Sequence, residues 1–242
     1  MSEPTVDMSL AELVRNAAEA DRQGDLPRAA AFHAWAGAQQ VEGGRHESGL
    51  EHFDRAMAAY EGSGQPEQAL LMGYNRAHTL FLAERYHQSL EEYRQTEERA
   101  RAAGFALHRF RSVLGRWQVQ QALGDTAAAE ATLEQVQGTA YEAEQLPTAA
   151  WADYELGRVA IWHHQYDRAI AAYESARATY TTLMIGEQVA DCDLGLCAAY
   201  FHCGDRERAL AALARARERY AMLGRNDRVA TCDQNQATIL GA

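Results

Sequence analysis

The sequence contains no lysine, and all 23 of its basic residues are arginine. This absence excludes Schiff-base chemistry on a lysine amine, phosphate-loop lysines and lysine clamps. Arginine-only usage beside abundant alanine and glycine indicates a GC-rich bacterial genome. Because 34 acidic residues oppose the 23 arginines, the net charge is −11. A surface this acidic disfavours binding to nucleic acid and to anionic membranes, so neither is expected as a partner.

Proline, cysteine and long apolar stretches are also scarce. None of the 4 prolines interrupts a well-patterned segment, which suits a helical chain. No run approaches about 18 apolar residues, and no basic stretch followed by an apolar one opens the chain, so neither a transmembrane helix nor a secretory signal is predicted. The 4 cysteines form no CxxC pair and no zinc-ribbon spacing, which predicts free thiols in a reducing cytoplasm. They are Cys192, Cys197, Cys203 and Cys232.

What the chain does have is a repeat of forty residues, kept in register along its length. A fixed period in this range predicts stacked supersecondary units instead of one closed globule. The hydrophobic content of 47% is enough to bury a continuous core. The five copies align on small residues at Gly49, Ser89, Ala129, Ala169 and Ala209.

Each copy has the pattern of two amphipathic helices. In the fourth copy, residues 150–163 and 166–181 place apolar side chains three or four positions apart on one face. Asp125 and Asp205 follow turns and are expected to cap the next helix. Glycines suited to a left-handed helix end recur at Gly44, Gly124 and Gly204.

The ends of the chain predict two further helices. A leading helix is expected at 8–23, and a closing helix at 229–240, where polar residues replace apolar ones as in the cap of a repeat stack. The total is about twelve helices, an all-α fold with more than two-thirds of residues helical. The predicted domains are an N-terminal segment with its capping helix at 1–27 and a repeat stack at 28–242.

The small residues carry a family resemblance. Small positions also recur in the first helix of each copy, so that two antiparallel helices can approach closely. Over about residues 28–242 the chain resembles the tetratricopeptide repeat (TPR) family, in a long variant with a forty-residue period. The resemblance implies a right-handed α-solenoid of helix-turn-helix repeats whose first helices line a concave groove. Trp117 departs from the pattern, so the third repeat either splays or shifts in register by a residue or two. The first-helix positions are Gly37, Ala77, Trp117, Gly157 and Cys197.

The same resemblance implies that a partner binds the inner face of the first helices. Asn75 resembles the groove asparagines that hold a bound peptide's backbone. Arg111 and Arg158 are expected to attract an acidic side chain or a terminal carboxylate, unless they pair with internal acids such as Glu155 and Asp191. The predicted partner-binding residues are Tyr74, Asn75, His78, Arg111, Gln118, Trp151, Tyr154, Arg158 and Trp162. The same register adds Phe81, Leu114, Leu194 and Phe201, and some of these aromatic residues are alternatively inter-helix core.

No residue set predicts catalysis, a cofactor or a metal site. The adjacent His163 and His164 fall in a turn and are expected to be exposed, Cys192 and Cys232 are expected in the core, and the carboxylates are expected on solvated helix faces. We therefore expect a non-catalytic scaffold or adaptor that binds a protein or peptide. The alternatives are a regulatory or signal-peptide sensor without its own DNA-binding domain, and a homo-oligomeric structural module, which leaves a homodimer open.

Overall fold

A computed structural model describes residue 4 and residues 8–241. These residues form twelve α-helices and no strand, and 86% of the chain is helical. The predicted all-α class and helix count are therefore confirmed. The helices are α1 Leu10–Gln23, α2 Leu26–Glu42, α3 His46–Gly62, α4 Pro66–Leu82, α5 Tyr86–Ala103, α6 Ala106–Leu123, α7 Thr126–Glu142, α8 Leu146–Trp162, α9 Tyr166–Thr182, α10 Gly186–His202, α11 Arg206–Met222 and α12 Asn226–Gly241.

The helices follow a strict step of twenty residues. From α2 to α12, each helix begins twenty residues after the one before it. Each turn holds one residue with positive φ, and these residues are also spaced by twenty from Gly24 to Gly224. The expected left-handed glycines at the ends of helices are confirmed, with φ of 74° at Gly44 and 70° at Gly124. The forty-residue period of the sequence is thus two structural steps.

Side-chain caps and prolines mark the helix starts. The carboxylate of Asp125 accepts the backbone N–H of Ala128 at 3.1 Å, and that of Asp205 accepts the N–H of Arg208 at 2.9 Å. Both predicted caps are therefore confirmed, since they satisfy N–H groups that the first helical turn leaves unpaired. Prolines, which lack an N–H to leave unpaired, occupy the first turns of α2, α4 and α8.

The chain divides into two compact units, an N-terminal unit of residues 1–132 and a C-terminal unit of residues 133–242, with the boundary inside α7. In the N-terminal unit each helix from α1 to α6 packs on the next, and α4 also touches α6. In the C-terminal unit each helix from α8 to α12 packs on the next, and α8 also touches α10. The predicted domain bounds 1–27 and 28–242 stay a prediction, and their ends include residues 1–3, 5–7 and 242, which lie outside the described residues.

Small residues let the paired helices approach closely, as expected. The ring of Tyr173 lies between Gly157 on α8 and Gly195 on α10, where an added Cβ would come within 2.8 and 2.6 Å of ring atoms. The five small positions at the start of the second helices are all buried. Trp117 is half-buried, whereas its four counterparts are buried. Because α6 begins in step with the other helices, the alternative of a register shift in the third repeat is wrong.

Two carboxylates are buried, against the expectation of solvated faces. Asp153 and Asp193 are each 1% exposed. Asp153 accepts hydrogen bonds from the hydroxyls of Tyr141 and Ser175, both at 2.7 Å. Asp193 accepts from guanidinium groups of α9 and α11, at 3.0 and 2.9 Å. Burial is tolerated because the lone pairs of both carboxylates find donors on the helices to either side.

Candidate partner-binding faces

We call the outward surface of α4 and α6 the first-helix face of the N-terminal unit, and the outward surface of α8, α10 and α12 the first-helix face of the C-terminal unit. On α4 this face carries a ladder of three rings. Tyr74 stacks on His78 with ring centroids 6.3 Å apart, and His78 stacks on Phe81 at 6.2 Å. Behind the ladder, Tyr74 contacts Tyr93 and Phe81 contacts Tyr86, both at 5.7 Å. The three rings of the ladder are half-buried, so one edge of each ring faces outward.

Burial and a nearby charge shift the pKa values of two ladder residues, His78 and Tyr74. Burial lowers the pKa of His78, which keeps the imidazole neutral at neutral pH. Its Nδ1 atom is buried and has no hydrogen-bond partner among the described residues. Burial also raises the pKa of Tyr74, and the positive charge of Arg111 acts in the opposite direction. Arg111 on α6 therefore lies within electrostatic reach of the ladder on α4.

Arg111 is a half-buried cation that no described acid neutralises. No carboxylate among the described residues lies within ion-pair distance of its guanidinium group. The carboxamide of Asn75 also has no partner there, although the backbone oxygen of Asn75 accepts the Thr79 hydroxyl at 2.8 Å. Gln118, one helix turn from the end of α6, is exposed. The alternative of internal pairing therefore does not apply to Arg111.

In the C-terminal unit the second predicted arginine, Arg158, is paired. Arg158 on α8 lies 2.7 Å from the carboxylate of Glu155 in the same helix. Asp191 on α10 accepts the Tyr220 hydroxyl at 2.5 Å and a guanidinium N–H of Arg228. Internal pairing thus accounts for Arg158, with Glu155 as its partner, whereas Asp191 serves other donors.

The aromatic residues of α8 divide between core and surface. Tyr154 packs edge-on against Tyr173 with ring centroids 5.4 Å apart, and burial raises the pKa of its hydroxyl. Trp151 is half-buried, and Trp162 at the helix end is 80% exposed. Tyr154 therefore contributes mainly to helix packing, and Trp162 supplies apolar area to solvent.

A pocket of about 270 Å³ opens between α10 and α12. Its floor is formed by buried Cys197 and Ile239, and its rim by exposed Ala198 and Thr238. Two of its residues, Asn235 and Thr238, occupy the repeat positions that Asn75 and His78 hold in the N-terminal unit. The complete lining is Leu194, Cys197, Ala198, Phe201, His202, Asn235, Thr238 and Ile239.

The structure resembles several solved repeat proteins. It is similar to BtubC (BKLC) from P. vanneervenii, with a TM-score of 0.62 and 17% identity over 92% of this chain and 93% of that one. A putative kinesin light chain with nearly identical TPR-like repeats, from Podosopora anserina, gives 0.54 and 18% over 79% and 94%. A Rap protein complexed with Competence and Sporulation Factor gives 0.51 and 14% over 99% and 77%. The fold is TPR-like. No protein-family profile and no curated protein matches the sequence.

The TPR-like fold confirms the predicted all-α repeat solenoid and the pairing of helices. Five of the predicted partner-binding residues lie in the N-terminal unit and four in the C-terminal unit, and the assignment of a partner to them stays a prediction. Asn235 and Thr238 were not predicted, because the closing helix was interpreted only as a polar cap. Adding four periods of forty residues to Asn75 and His78 leads to Asn235 and Thr238 and would have found them.

The other singled-out residues are placed as follows. His163 and His164 are exposed in the turn after α8, and Cys192 and Cys232 are buried, as expected. Burial raises the pKa of the Cys192 thiol to about 12 and that of Cys197 to about 11, so both are neutral at neutral pH. None of the described helices is both long and apolar enough to cross a membrane.

Proposed function

We propose that the chain is a non-catalytic scaffold or adaptor that binds a protein or peptide segment on its first-helix faces. The observation that carries this proposal is Arg111 of the N-terminal unit, which pairs with no acid in the described part of the chain. Partial burial of a guanidinium group without a partner is costly. The chain holds 34 acids that could have paired with this one. An external anion would supply the missing partner.

The surroundings of Arg111 define the chemistry of that anion. A guanidinium group binds a carboxylate through two parallel hydrogen bonds, so an acidic side chain or a terminal carboxylate fits best. The carboxamide of Asn75 can bond to a peptide backbone. The ring edges of Tyr74 and His78 offer apolar contact beside the charge. A short acidic peptide segment satisfies all three groups.

A regulatory sensor is the second candidate. The Rap protein of similar fold was solved in complex with Competence and Sporulation Factor. A sensor would change the protection of helices away from its binding face when a peptide binds, whereas a scaffold would not. Hydrogen exchange of the free and bound chain separates the two. Light scattering over a range of concentrations tests the alternative of a self-associating module.

The test uses a display library of random linear peptides with free carboxyl termini. Enriched peptides are measured by calorimetry against the native chain, Arg111→Ala and Arg94→Ala, since Arg94 is an exposed arginine of α5 away from the first-helix face. We expect Arg111→Ala to weaken binding by at least about 1 kcal/mol and Arg94→Ala to leave it unchanged. A loss below about 0.5 kcal/mol for Arg111→Ala would reject the site. Enrichment of basic peptides from the display library, or of no peptide, would count against an anion-binding face.

The proposed setting is the cytoplasm of a bacterium, in keeping with four free cysteines and arginine-only usage. Nucleic acid is not proposed as a partner, because the net charge of −11 repels phosphate backbones.

A further inference from the structure

The pocket between α10 and α12 exists because α10 is unusually small on its outward face. At the repeat positions where α8 carries Glu155 and Arg158, α10 carries Gly195 and Ala198. Gly195 is required by packing, since a Cβ there would meet the Tyr173 ring at 2.6 Å. Ala198 is exposed and under no such constraint. The open space beside Ala198 is therefore a property of the surface, and core packing does not demand it.

The lining of the pocket is largely apolar, with the side chains of His202, Asn235 and Thr238 as its polar groups. The described residues that form it include no carboxylate and no guanidinium group. The Thr238 hydroxyl donates to the backbone oxygen of Gln234 at 3.1 Å, which leaves its oxygen able to accept. The carboxamide of Asn235 has no hydrogen-bond partner within the described part of the chain. The pocket thus offers apolar walls, and the carboxamide of Asn235 at its side can both donate and accept a hydrogen bond.

We propose that this pocket anchors one large apolar side chain of a peptide partner, of leucine, methionine or phenylalanine size, while Asn235 bonds to the peptide backbone. Its volume of about 270 Å³ lies below the range of about 300–1,000 Å³ that is typical of sites for drug-sized ligands. This small volume favours a single side chain. The lining disfavours a cationic side chain, because it holds no carboxylate to compensate the desolvation of the cation. The inference rests on the proposed function, since it assumes that the first-helix face of the C-terminal unit binds peptides.

The test is a titration of the full chain, followed by methyl NMR at Leu194, Thr238 and Ile239. The probes are N-acetyl-leucinamide and N-acetyl-phenylalaninamide, with N-acetyl-lysinamide as the charged comparison. We expect saturable shifts of the three methyl signals with the apolar probes, and at least about tenfold weaker binding of the lysine probe. Equal binding of all three probes, or no saturable shift, would overturn the proposal.

Two substitutions at exposed alanines sharpen the test. Ala198→Phe fills the pocket and should abolish probe binding, whereas Ala171→Phe, at an exposed position of α9, should not. If Ala198→Phe perturbs the fold by circular dichroism, Ala198→Met serves in its place. Asn235→Ala should weaken N-acetyl-phenylalaninamide at least about threefold but leave toluene, which has no amide, unchanged. Equal behaviour of the two phenylalanine variants would contradict the assignment.

The outcomes separate this inference from the function on which it rests. Library peptides that depend on Arg111 but ignore Ala198→Phe, together with silent probe titrations, would reject the pocket and keep the function. Probe binding without any library peptide would reject the function instead. If Ala198→Phe lowers the molecular mass measured by light scattering, the occupant is a second copy of the chain, and the peptide assignment is wrong.

Discussion

At the scale of single residues, three helices meet at a histidine pair. The Nδ1 atoms of His33 and His52 lie 2.8 Å apart, and Nε2 of His33 lies 3.0 Å from the carboxylate of Asp21. His33 is only 2% exposed. At this separation one Nδ1 must donate a proton and the other must accept it. The link between α1, α2 and α3 therefore needs one imidazole to be neutral.

This pair predicts a loss of stability in mild acid. Burial lowers the pKa of His52, and the charges of His33 and Arg55 lower it further, while Glu51 and Asp21 act the other way. Because the folded pKa lies below that of the unfolded chain, about 6.5, the unfolded state takes up the proton first as pH falls. We expect the free energy of unfolding, measured with urea, to fall below about pH 6.5. The fall should be shallower for His52→Gln but unchanged for His87→Gln, which replaces an exposed histidine. Equal slopes for both variants would contradict the role of the pair.

A second prediction concerns the left-handed turn before α10. Met184 has φ of 57° and is 90% exposed, although glycine fills the equivalent position in seven of the eleven turns. A side chain in this conformation costs about 1 kcal/mol or more, since its Cβ crowds the following carbonyl oxygen. We expect Met184→Gly to raise the free energy of unfolding by up to about 1 kcal/mol in urea titrations, and the reverse change, Gly204→Met, to lower it by a similar amount. A destabilised Met184→Gly would show that the methionine side chain makes a stabilising contact.

At the scale of helices, stability depends on the close crossing of the two helices in each repeat. Ala169 and Ala209 are fully buried at these crossings. We expect Ala169→Trp and Ala209→Trp to lower the free energy of unfolding by about 1–3 kcal/mol or more, because the added rings must push two helices apart. Thermal melting measures the effect, with Ala171→Trp on the exposed side of α9 as the matched control. If the buried variants melt like this control, the helices are not held together at these positions.

The elements also show what a sequence can and cannot reveal. The second helix of the fourth repeat, predicted at 166–181, spans Tyr166–Thr182. The first helix, predicted at 150–163, begins four residues earlier at Leu146, because Pro147 opens the helix instead of ending the turn. In four turns the residue with left-handed conformation is not glycine, and nothing in the local sequence indicates that conformation. These residues are Glu84, Glu144, His164 and Met184.

For the candidate site, the helix positions of the residues follow from the sequence, whereas the pocket does not. Register alone placed the nine residues on first helices, because helical periodicity fixes the face of a side chain. The different states of the two arginines were also within reach of sequence reasoning. Glu155 lies three residues before Arg158, a spacing that favours pairing within a helix. Arg111 has no acid three or four residues away on either side. The pocket was out of reach, since its depth depends on how α10 and α12 pack.

At the scale of the molecule, stability in a repeat protein is shared between neighbours. Each helix of the C-terminal unit packs on the next, from α8 to α12. We therefore expect Ala169→Trp to weaken hydrogen-exchange protection in α8 and α10 as well as in α9, because a helix that loses its neighbour also loses buried area. Amides of α1 to α3 in the N-terminal unit serve as the reference. Loss confined to α9 would show that the helices open independently.

The twenty-residue step has a consequence for how the chain can change in length. The turns at 163–165 and 203–205 occupy the same place in the step, so removing residues 166–205 would join Gln165 to Arg206 with an unchanged backbone geometry at the junction. Gain or loss of a block of forty codons would leave every remaining turn in phase with its helices. Such a gene can lengthen or shorten by unequal recombination between its own copies, and each product would inherit the same joints.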